Sequence, residues 1–203
     1  MSKKYLITPS LLNSWQFYMN CREDYEEKAK ESFLNSLNRV KTPTNEAMQK
    51  GINFENHVKK SVEGEKGFIV TEKQEYADCV QEVANVVHGG QWQVKVYKDM
   101  VIENIPFFLY GRIDVLKGIY AYDIKFTSNY ETGKFLKSYQ HPFYLDCIDV
   151  PYFAYLISDG KNVWREDYKK SELNPIENTI RDFVQWLPEE WQDIYFDKWK
   201  SKY

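Results

Sequence analysis

Residues 111–127, GRIDVLKGIYAYDIKFT, constrain the fold more than any other part of the chain. Apolar residues dominate on both sides of Lys117 and Gly118, and this pattern predicts two antiparallel strands joined by a two-residue turn. Such strands normally enter a core, yet Asp114, Asp123 and Lys125 interrupt these two. A domain that contains this hairpin must therefore place charged groups beside its own hydrophobic core.

The alternation of a β-hairpin relates these charged residues to one another. The predicted turn puts Asp114 opposite Ala121, and opposite residues point to the same face. Side chains two residues apart also share a face, so Asp123 and Lys125 join Asp114 there, with Arg112 beside them. This convergence depends on the register, because a shift of one residue turns the two carboxylates to opposite faces.

Two carboxylates held close together repel each other, and something must compensate for this repulsion. Lys125 supplies part of the positive charge. A divalent cation supplies more, because Mg²⁺ and Mn²⁺ accept carboxylate oxygens and leave positions for water and phosphate. The alternative is a partly exposed strand face on which Asp123 and Lys125 form an ordinary structural ion pair. The hairpin by itself leaves both interpretations open.

A third carboxylate, Glu55, lies in the segment KGINFENHV of a predicted helix over about 44–63. It follows Gly51 by one turn and precedes Val58, so it lies beside the apolar stripe of that helix. Gly51 costs roughly 1 kcal/mol of helix stability relative to alanine, but it lets another backbone or a nucleic acid approach closely. The alternative is a boundary glutamate whose stem packs while its carboxylate reaches water.

Hydrophobic periodicity and turn residues predict helices, several mainly antiparallel strands, a helix, a hairpin and a C-terminal helix. Thr8 and Pro9 begin the first helix, Thr44 caps the second, and Pro142 interrupts a helical region over 130–148. The other predicted elements are a continuation of the first helix through 22–30, a helix over 77–88, strands at 92–96, 105–116 and 119–126, a hairpin of 152–158 with 162–168, and a helix from 175 bent at Pro188. This order predicts an α+β or mixed α/β domain.

Composition bounds the compartment and the class of partner. The chain has 203 residues, of which 43% are hydrophobic, so it can form a substantial core. A net charge of −3 argues against coating nucleic acid by bulk positive charge but leaves room for a local basic patch. Cys21, Cys79 and Cys147 are far apart, which favours reduced thiols over disulfides or a metal cluster. Because the sequence shows no signal peptide and no membrane-spanning apolar run, we expect an intracellular, cytoplasmic protein.

Taken in order, these motifs resemble the PD-(D/E)XK nuclease superfamily and especially its RecB-like branch. The motifs are GINFE, GRID, DIK and the QxxxY of QHPFY, and ITPSLLNSWQFYMNC resembles the N-terminal helix of many RecB-like nuclease domains. The resemblance covers roughly residues 8–168. It implies a restriction-endonuclease-like core, with a central mixed sheet flanked by helices, in a single domain over 1–203. A helical region at about 8–63 precedes that core, and a helix at about 175–203 follows it.

The resemblance also implies roles for the matching residues. Glu55, Asp114 and Asp123 fall where the family binds Mg²⁺ or Mn²⁺, the backbone carbonyl of Ile124 can join them, and Lys125 completes the catalytic set. Many RecB-like proteins carry histidine at the first of these positions. Some hold an iron–sulfur cluster through cysteines, but this chain lacks the C-terminal cysteines, so we expect no iron–sulfur cluster. Substrate contacts are expected from Gln140, Tyr144, Lys134, Lys137 and Arg112.

The implied activity is metal-dependent hydrolysis of DNA phosphodiester bonds. We expect an exonuclease of recombination, repair or phage DNA processing, acting in a bacterial host cell if the chain is phage-encoded. A bound metal would acidify a water and neutralise a phosphate oxygen, while Lys125 orients that water. The alternative is an inactive nuclease-fold protein that binds or inhibits nucleic acid or a protein partner, such as a single-strand annealing or recombination protein. The sequence leaves open exonuclease or endonuclease action, polarity, DNA or RNA, and oligomeric state.

Overall fold

The computed structural model describes residues 3–64 and 73–202, which form a six-stranded sheet covered by helices. The strands are β1 (Tyr5–Ile7), β2 (Gln91–Ile102), β3 (Ile105–Lys117), β4 (Tyr120–Phe126), β5 (Tyr152–Ser158) and β6 (Val163–Lys169). The α-helices are α1 (Pro9–Met19), α2 (Glu26–Leu37), α3 (Glu46–Glu63), α4 (Gln74–Val87), α5 (Gln140–Cys147), α6 (Ile176–Trp186) and α7 (Glu189–Lys198).

β3 organises the sheet because strands pair with both of its edges. β2 runs antiparallel to it along one edge, from the pair of Gln91 with Leu116 to the pair of Ile102 with Ile105. The other edge is shared, because β1 pairs in parallel with residues 107–109 and β4 pairs antiparallel with the end of β3. β5 then pairs in parallel with β4 and antiparallel with β6. The parallel pair requires a long crossover, and α5 lies within it.

Two buried clusters pack helices against the sheet. The larger cluster, which includes Phe33, Phe143 and Tyr195, joins α1, α2, α5, α6 and α7 to the strands. The smaller cluster, which includes Phe54 and Val83, packs α3 and α4 against β4, β5 and the end of β3. Burial of Phe54 therefore fixes α3 beside the central hairpin, one residue before the predicted carboxylate of that helix.

The central hairpin turns one residue later than predicted. Lys117 pairs with Tyr120, so Gly118 and Ile119 form the turn, and Gly118 adopts a φ of +57° at its first position. Lys117 stays in the strand, where its ammonium donates to the carbonyl of Val86 at 2.7 Å. The ring of Tyr120 stacks on two neighbouring tyrosines, which fixes the start of β4.

This change of register preserves the relation between the two carboxylates. Extension of the observed pairing by one residue places Asp114 opposite Asp123, instead of opposite Ala121 as predicted. The observed partner of Asp114 lies two residues further along β4 than the predicted one, and side chains two residues apart in a strand point to the same face. The prediction of the turn was therefore wrong, whereas Asp114 and Asp123 still meet at the same place.

Several helices differ from the predicted extents. The run 22–30 does not continue α1, which ends at Met19 and is separated from α2 by a short 3₁₀ turn. Asn45, rather than Thr44, caps α3, because its side chain accepts the backbone N–H of Met48 at 2.8 Å. α4 extends further toward its N-terminus than the predicted start at 77. Thr8 does cap α1 as predicted, because its hydroxyl oxygen accepts a hydrogen bond from the backbone N–H of Leu11.

Proline positions explain two further corrections. The helical region predicted over 130–148 is reduced to α5, and residues 130–139 are not α-helical. Pro142 lies in the first turn of α5, where a missing N–H removes no helical hydrogen bond, so it neither breaks nor kinks the helix. Pro188 divides the predicted C-terminal helix into α6 and α7 instead of bending it. β1 was not predicted, because three residues are too few for a periodic signal.

The predicted fold class is confirmed, since the described residues form a mixed α/β structure with a central mixed sheet flanked by helices. Within the same ranges, no helix has both the length and the apolar character needed to cross a bilayer. The single domain over 1–203 stays a prediction.

Candidate active site at the separation of β3 and β4

The charged residues of the hairpin lie where β3 and β4 separate. The ladder between these strands ends at Val115 and Tyr122, while β4 continues along β5. The carboxylate of Asp114 enters this opening and accepts the backbone N–H of Ile124 at 2.9 Å. It thereby satisfies a donor that can no longer pair with a β3 carbonyl. Asp114 is consequently fixed between the two strands.

Gln93 of β2 connects Asp114 to Glu55 of α3. Its side-chain amide donates to Oε1 of Glu55 at 2.5 Å and reaches Oδ1 of Asp114 at 3.5 Å. Both carboxylates therefore face one partly positive NH₂ group. A cation between the two carboxylates would have the same two partners, so Gln93 occupies a position of the kind a metal ion takes.

The strand backbone is distorted at this point. Gln93 has a φ of +54°, which is uncommon for a residue other than glycine. Ile113 packs in the larger core cluster and Val115 in the smaller one, although residues two apart in a strand normally share a face. The two neighbours of Gln93 in β2 differ in the same way, because Trp92 packs against the smaller cluster and Val94 against the larger one. Gln93 and its cross-strand neighbour Asp114 thus lie where the sheet exchanges its two faces.

Asp123 is buried beside β5 and has two partners. Its Oδ1 accepts a hydrogen bond from the amide of Gln140 at 3.0 Å. Its Oδ2 lies 2.5 Å from Nζ of Lys125, an ion pair that lacks the angular geometry of a hydrogen bond. The side chain of Lys125 remains 28% exposed, so part of it reaches the surface of the site. DxK and the first residue of QxxxY are therefore joined directly.

The carboxylates of the site share an excess of negative charge. Burial, with the charges of Asp123 and Glu55, raises the pKa of Asp114 well above its usual range. Burial and the charge of Asp123 also raise the pKa of Glu55, against the opposing effect of Arg112. Burial lowers the pKa of Lys125, but the charge and proximity of Asp123 outweigh it, and the net shift is upward. The cluster thus favours added protons or an added cation.

The donor chemistry fits a hard divalent cation, although the oxygens are not yet gathered around one. Within residues 3–64 and 73–202, no three His, Cys, Asp or Glu side chains form a ready-made metal site. Glu55 and Asp114 hold Gln93 between them instead, and a cation would have to displace that amide. Three carboxylates in one cluster and the raised pKa values of Asp114 and Glu55 favour the fit, although Oδ2 of Asp123 already has the Lys125 ammonium at 2.5 Å.

Gln140 and Tyr144, predicted to face the substrate together, lie side by side next to the site carboxylates. Gln140 binds Asp123, whereas Tyr144 is buried and its hydroxyl donates to the carbonyl of Arg112 at 2.9 Å. The tyrosine ring lies so close to Gly111 that a Cβ there would be 2.5 Å from ring atom Cε1. Tyr144 therefore supports β3 from behind the carboxylates. The side chain of Arg112 is exposed, and its positive charge lowers the pKa of Glu55.

The two predicted phosphate-binding lysines lie on the loop between β4 and α5. Lys134 turns back onto that loop, where its ammonium donates to the hydroxyl of Thr127 at 2.8 Å and to the carbonyl of Asn129. Lys137 is exposed and lines a hollow of about 370 Å³ together with His141. Of these three predicted phosphate-binding residues, Arg112 lies close enough to the site for its charge to lower the pKa of Glu55.

Glu166 of β6 anchors this loop, and the sequence analysis did not single it out. Its buried carboxylate accepts the hydroxyl of Tyr130 at 2.8 Å, the N–H of Gly133 at 2.9 Å and the hydroxyl of Tyr168 at 2.7 Å. The loop carries the chain from DxK to Gln140, so Glu166 helps to fix the distance between them. An acidic residue in an alternating strand gives no sequence signal for this role.

Gln93 was also missed, although a signal for it existed. It lies between two residues of β2 that pair with Val115 and Ile113, the two neighbours of Asp114 in β3. A search for polar side chains on the strand that precedes GRID would have found it. Its left-handed backbone, however, has no sequence signature, because glutamine rarely adopts that conformation.

Comparisons with known proteins address the fold. No protein-family model and no curated protein matches the chain. The chain is similar to the crystal structure of SSO0001, with a TM-score of 0.54 and 9% identity, over 93% of this chain and 80% of that one. It also aligns with the crystal structure of LHK-Exo in complex with dAMP, with a TM-score of 0.44 and 14% identity, over 94% and 86% of the two chains. The first similarity shows a shared fold, and the second is too low to support an argument.

Proposed function

We propose that the protein is a nuclease that uses Mg²⁺ or Mn²⁺ to hydrolyse phosphodiester bonds of DNA. The observation that carries this proposal is the convergence of Glu55, Asp114 and Asp123, with Lys125, where β3 and β4 separate. The resemblance of the ordered motifs to the PD-(D/E)XK superfamily agrees with that convergence. A divalent cation held by the three carboxylates would supply a Lewis acid for the phosphate and for a bound water.

The protein's own residues would position the reacting groups. The pKa of Lys125 is raised by its pairing with Asp123, so its ammonium keeps its proton at neutral pH and can donate to a water or a phosphate oxygen. Gln140 holds the other oxygen of Asp123 and fixes the orientation of that carboxylate. The exposed guanidinium of Arg112 lies where it can bind a neighbouring phosphate.

A cleavage assay tests this proposal. The purified protein, with Mg²⁺, Mn²⁺ or EDTA, is incubated with single- and double-stranded DNA in linear, end-blocked and circular forms. We expect cleavage with metal and none with EDTA, and Asp114→Ala, Asp123→Ala and Lys125→Ala should each slow it about a hundredfold or more. Asp167→Ala is the matched control, because this exposed carboxylate of β6 pairs with Arg165 at 2.7 Å, away from the site. Failure to cut any substrate would contradict the nuclease proposal.

The finer assignment is an exonuclease of recombination, repair or phage DNA processing, acting in the cytoplasm with a single-strand annealing or recombination protein as its partner. An exonuclease needs a free DNA end, so linear DNA should be degraded while circular DNA stays intact. Equal cleavage of both forms would identify an endonuclease instead.

A second candidate, an inactive nuclease-fold protein that binds nucleic acid or a protein partner, is favoured by one observation. The amide of Gln93 occupies the space between Glu55 and Asp114. If that arrangement is permanent, the carboxylates take up no metal. Calorimetric titration with Mn²⁺ separates the candidates. If the protein is a nuclease, the wild type should release or absorb heat on binding Mn²⁺, and Asp123→Asn should lose that heat. If the protein is inactive, the wild type and Asp123→Asn should give the same result.

A further inference from the structure

A strip of aromatic and basic side chains extends from the candidate active site along β2 and β3. Cross-strand partners share a face, and three successive pairs beyond Gln93 and Asp114 form this strip. They are Lys95 with Arg112, Tyr97 with Tyr110, and Asp99 with Phe108. The alternate residues of both strands enter the larger core cluster, so the strip lies on the opposite face.

This part of the sheet has no helix over it within the described residues. The smaller core cluster, which holds α3 and α4 on that face, takes its strand members from β4, β5 and the end of β3. Tyr97 is 67% exposed and stacks over Phe108 with ring centroids 6.0 Å apart. An aromatic side chain exposed to this extent, and supported from below by a second ring, offers a flat platform.

Two neighbouring hollows lie along the strip. A hollow of about 370 Å³ is lined by Lys95, Tyr97, Phe108 and Tyr110. A second hollow of about 280 Å³ shares Phe108 and Tyr110 and continues to three basic residues, Arg39, Lys200 and Lys202. The span from Phe108 to Arg112 is about 13 Å at the rise of a β-strand, enough for more than one nucleotide.

The charge of the strip suits a polyanion. Lys95 forms no ion pair with a carboxylate in the described part of the chain, and Arg112 points its charge toward the site end. The acidic member of the strip, Asp99, is neutralised by Lys4 at 2.7 Å. Proteins that bind single strands without sequence preference combine a basic groove with aromatic platforms on which bases stack.

We propose that this strip binds single-stranded DNA and leads it to the carboxylates. Tyr97 and Tyr110 stack on unpaired bases, while Lys95 and Arg112 contact the phosphates between those bases and the site. Duplex DNA keeps its bases stacked inside, so the strip favours the single strand. This inference rests on the proposed nuclease function and specifies the form of its substrate.

Fluorescence anisotropy with labelled oligothymidylate tests the strip. The full chain is titrated in EDTA, so that binding is measured without hydrolysis. Tyr97→Ala should weaken binding about fivefold to a hundredfold, whereas Tyr97→Phe, which keeps the ring, should bind nearly as wild type. Tyr25→Ala removes a tyrosine that is 55% exposed away from the strip and should change nothing. The Lys95→Ala and Arg112→Ala pair should lower the slope of log affinity against log salt by about 1.4.

The outcomes separate this inference from the nuclease proposal. Weaker binding by Tyr97→Ala supports the strip even if the wild type cuts no DNA, and cleavage by a wild type whose affinity is unchanged in Tyr97→Ala overturns it. Equal or tighter binding of a duplex of the same length overturns the single-strand assignment. A dimer in sedimentation that Tyr97→Ala dissociates, with unchanged DNA affinity, would show that a second copy covers this face and also overturns it.

Discussion

The environment of Asp114 predicts that its replacement by asparagine stabilises the metal-free protein. Its carboxyl pKa is raised by burial and by the charges of Asp123 and Glu55, so ionisation at neutral pH costs folding free energy. Asparagine removes the charge but keeps an oxygen that can accept the N–H of Ile124, as the carboxylate does at 2.9 Å. Asp114→Ala also removes the charge, but it leaves that N–H without its acceptor.

The size of the effect has an upper bound. One pKa unit corresponds to about 1.4 kcal/mol. Protonating an aspartate at pH 7, about 3 units above its unfolded pKa, costs about 4 kcal/mol, so the buried carboxyl can lower the free energy of unfolding by no more than this amount. We therefore expect Asp114→Asn to raise the free energy of unfolding at pH 7 by about 1–3 kcal/mol. Asp114→Ala should gain less, because an unsatisfied buried N–H costs about 1–3 kcal/mol.

The sign of the pH dependence follows from the same shift. A group whose pKa is raised by folding contributes stability below its unfolded pKa and loses that contribution as pH rises through the folded value. The advantage of Asp114→Asn over wild type should therefore be small near pH 4 and grow toward neutral pH. Urea unfolding in EDTA at several pH values measures it, with the surface variant Asp99→Asn as control. A variant that destabilises equally at every pH would refute the reasoning.

Further predictions concern the surroundings of the site. Gly111→Ala should cost about 1–3 kcal/mol of stability, because its methyl group would overlap the ring of Tyr144. Gly51→Ala lies in open space on α3 and should instead gain up to about 1 kcal/mol. Thermal unfolding of the two variants measures both effects. Glu166→Ala should lose about 2–3 kcal/mol and accelerate hydrogen exchange in the loop between β4 and α5, and unchanged exchange would contradict its anchoring role. Gln93→Ala should lower the metal-free melting temperature, through loss of about 1 kcal/mol, yet increase the stabilisation by Mn²⁺; a smaller Mn²⁺ effect would show that Gln93 helps to bind the ion.

Strand alternation explains why the meeting of Asp114 and Asp123 could be predicted although the turn was not. Gly118 takes the positive φ at the first position of the turn, a position that favours glycine, and the contacts of Lys117 with Val86 and of Tyr120 with Tyr152 support this register over long range. Alternation has a period of two, so an error of two residues in register leaves the face unchanged. The placement of Glu55 was accessible for a similar reason, because Phe54 and Val58 define the buried stripe of α3.

The remainder of the site was decided by contacts that sequence patterns do not encode. Residues 130–139 form a loop that Glu166 of β6 anchors by accepting hydrogen bonds from Tyr130 and Gly133. Gln93 joins α3 to β3 only because its backbone adopts a left-handed conformation. The ring of Tyr144 packs against β3 because Gly111 has no side chain, while its hydroxyl lies beside Gln140 and donates to the carbonyl of Arg112.

The central claim is that Glu55, Asp114 and Asp123 form a divalent-cation site. Anomalous scattering from a crystal soaked in Mn²⁺ tests it most directly, because it locates the ion itself. The predicted result is a manganese peak coordinated by oxygens of all three carboxylates, with the amide of Gln93 displaced from between Glu55 and Asp114. Fully occupied manganese elsewhere, with Gln93 still bonded to Glu55 and no peak at the carboxylates, would contradict the claim.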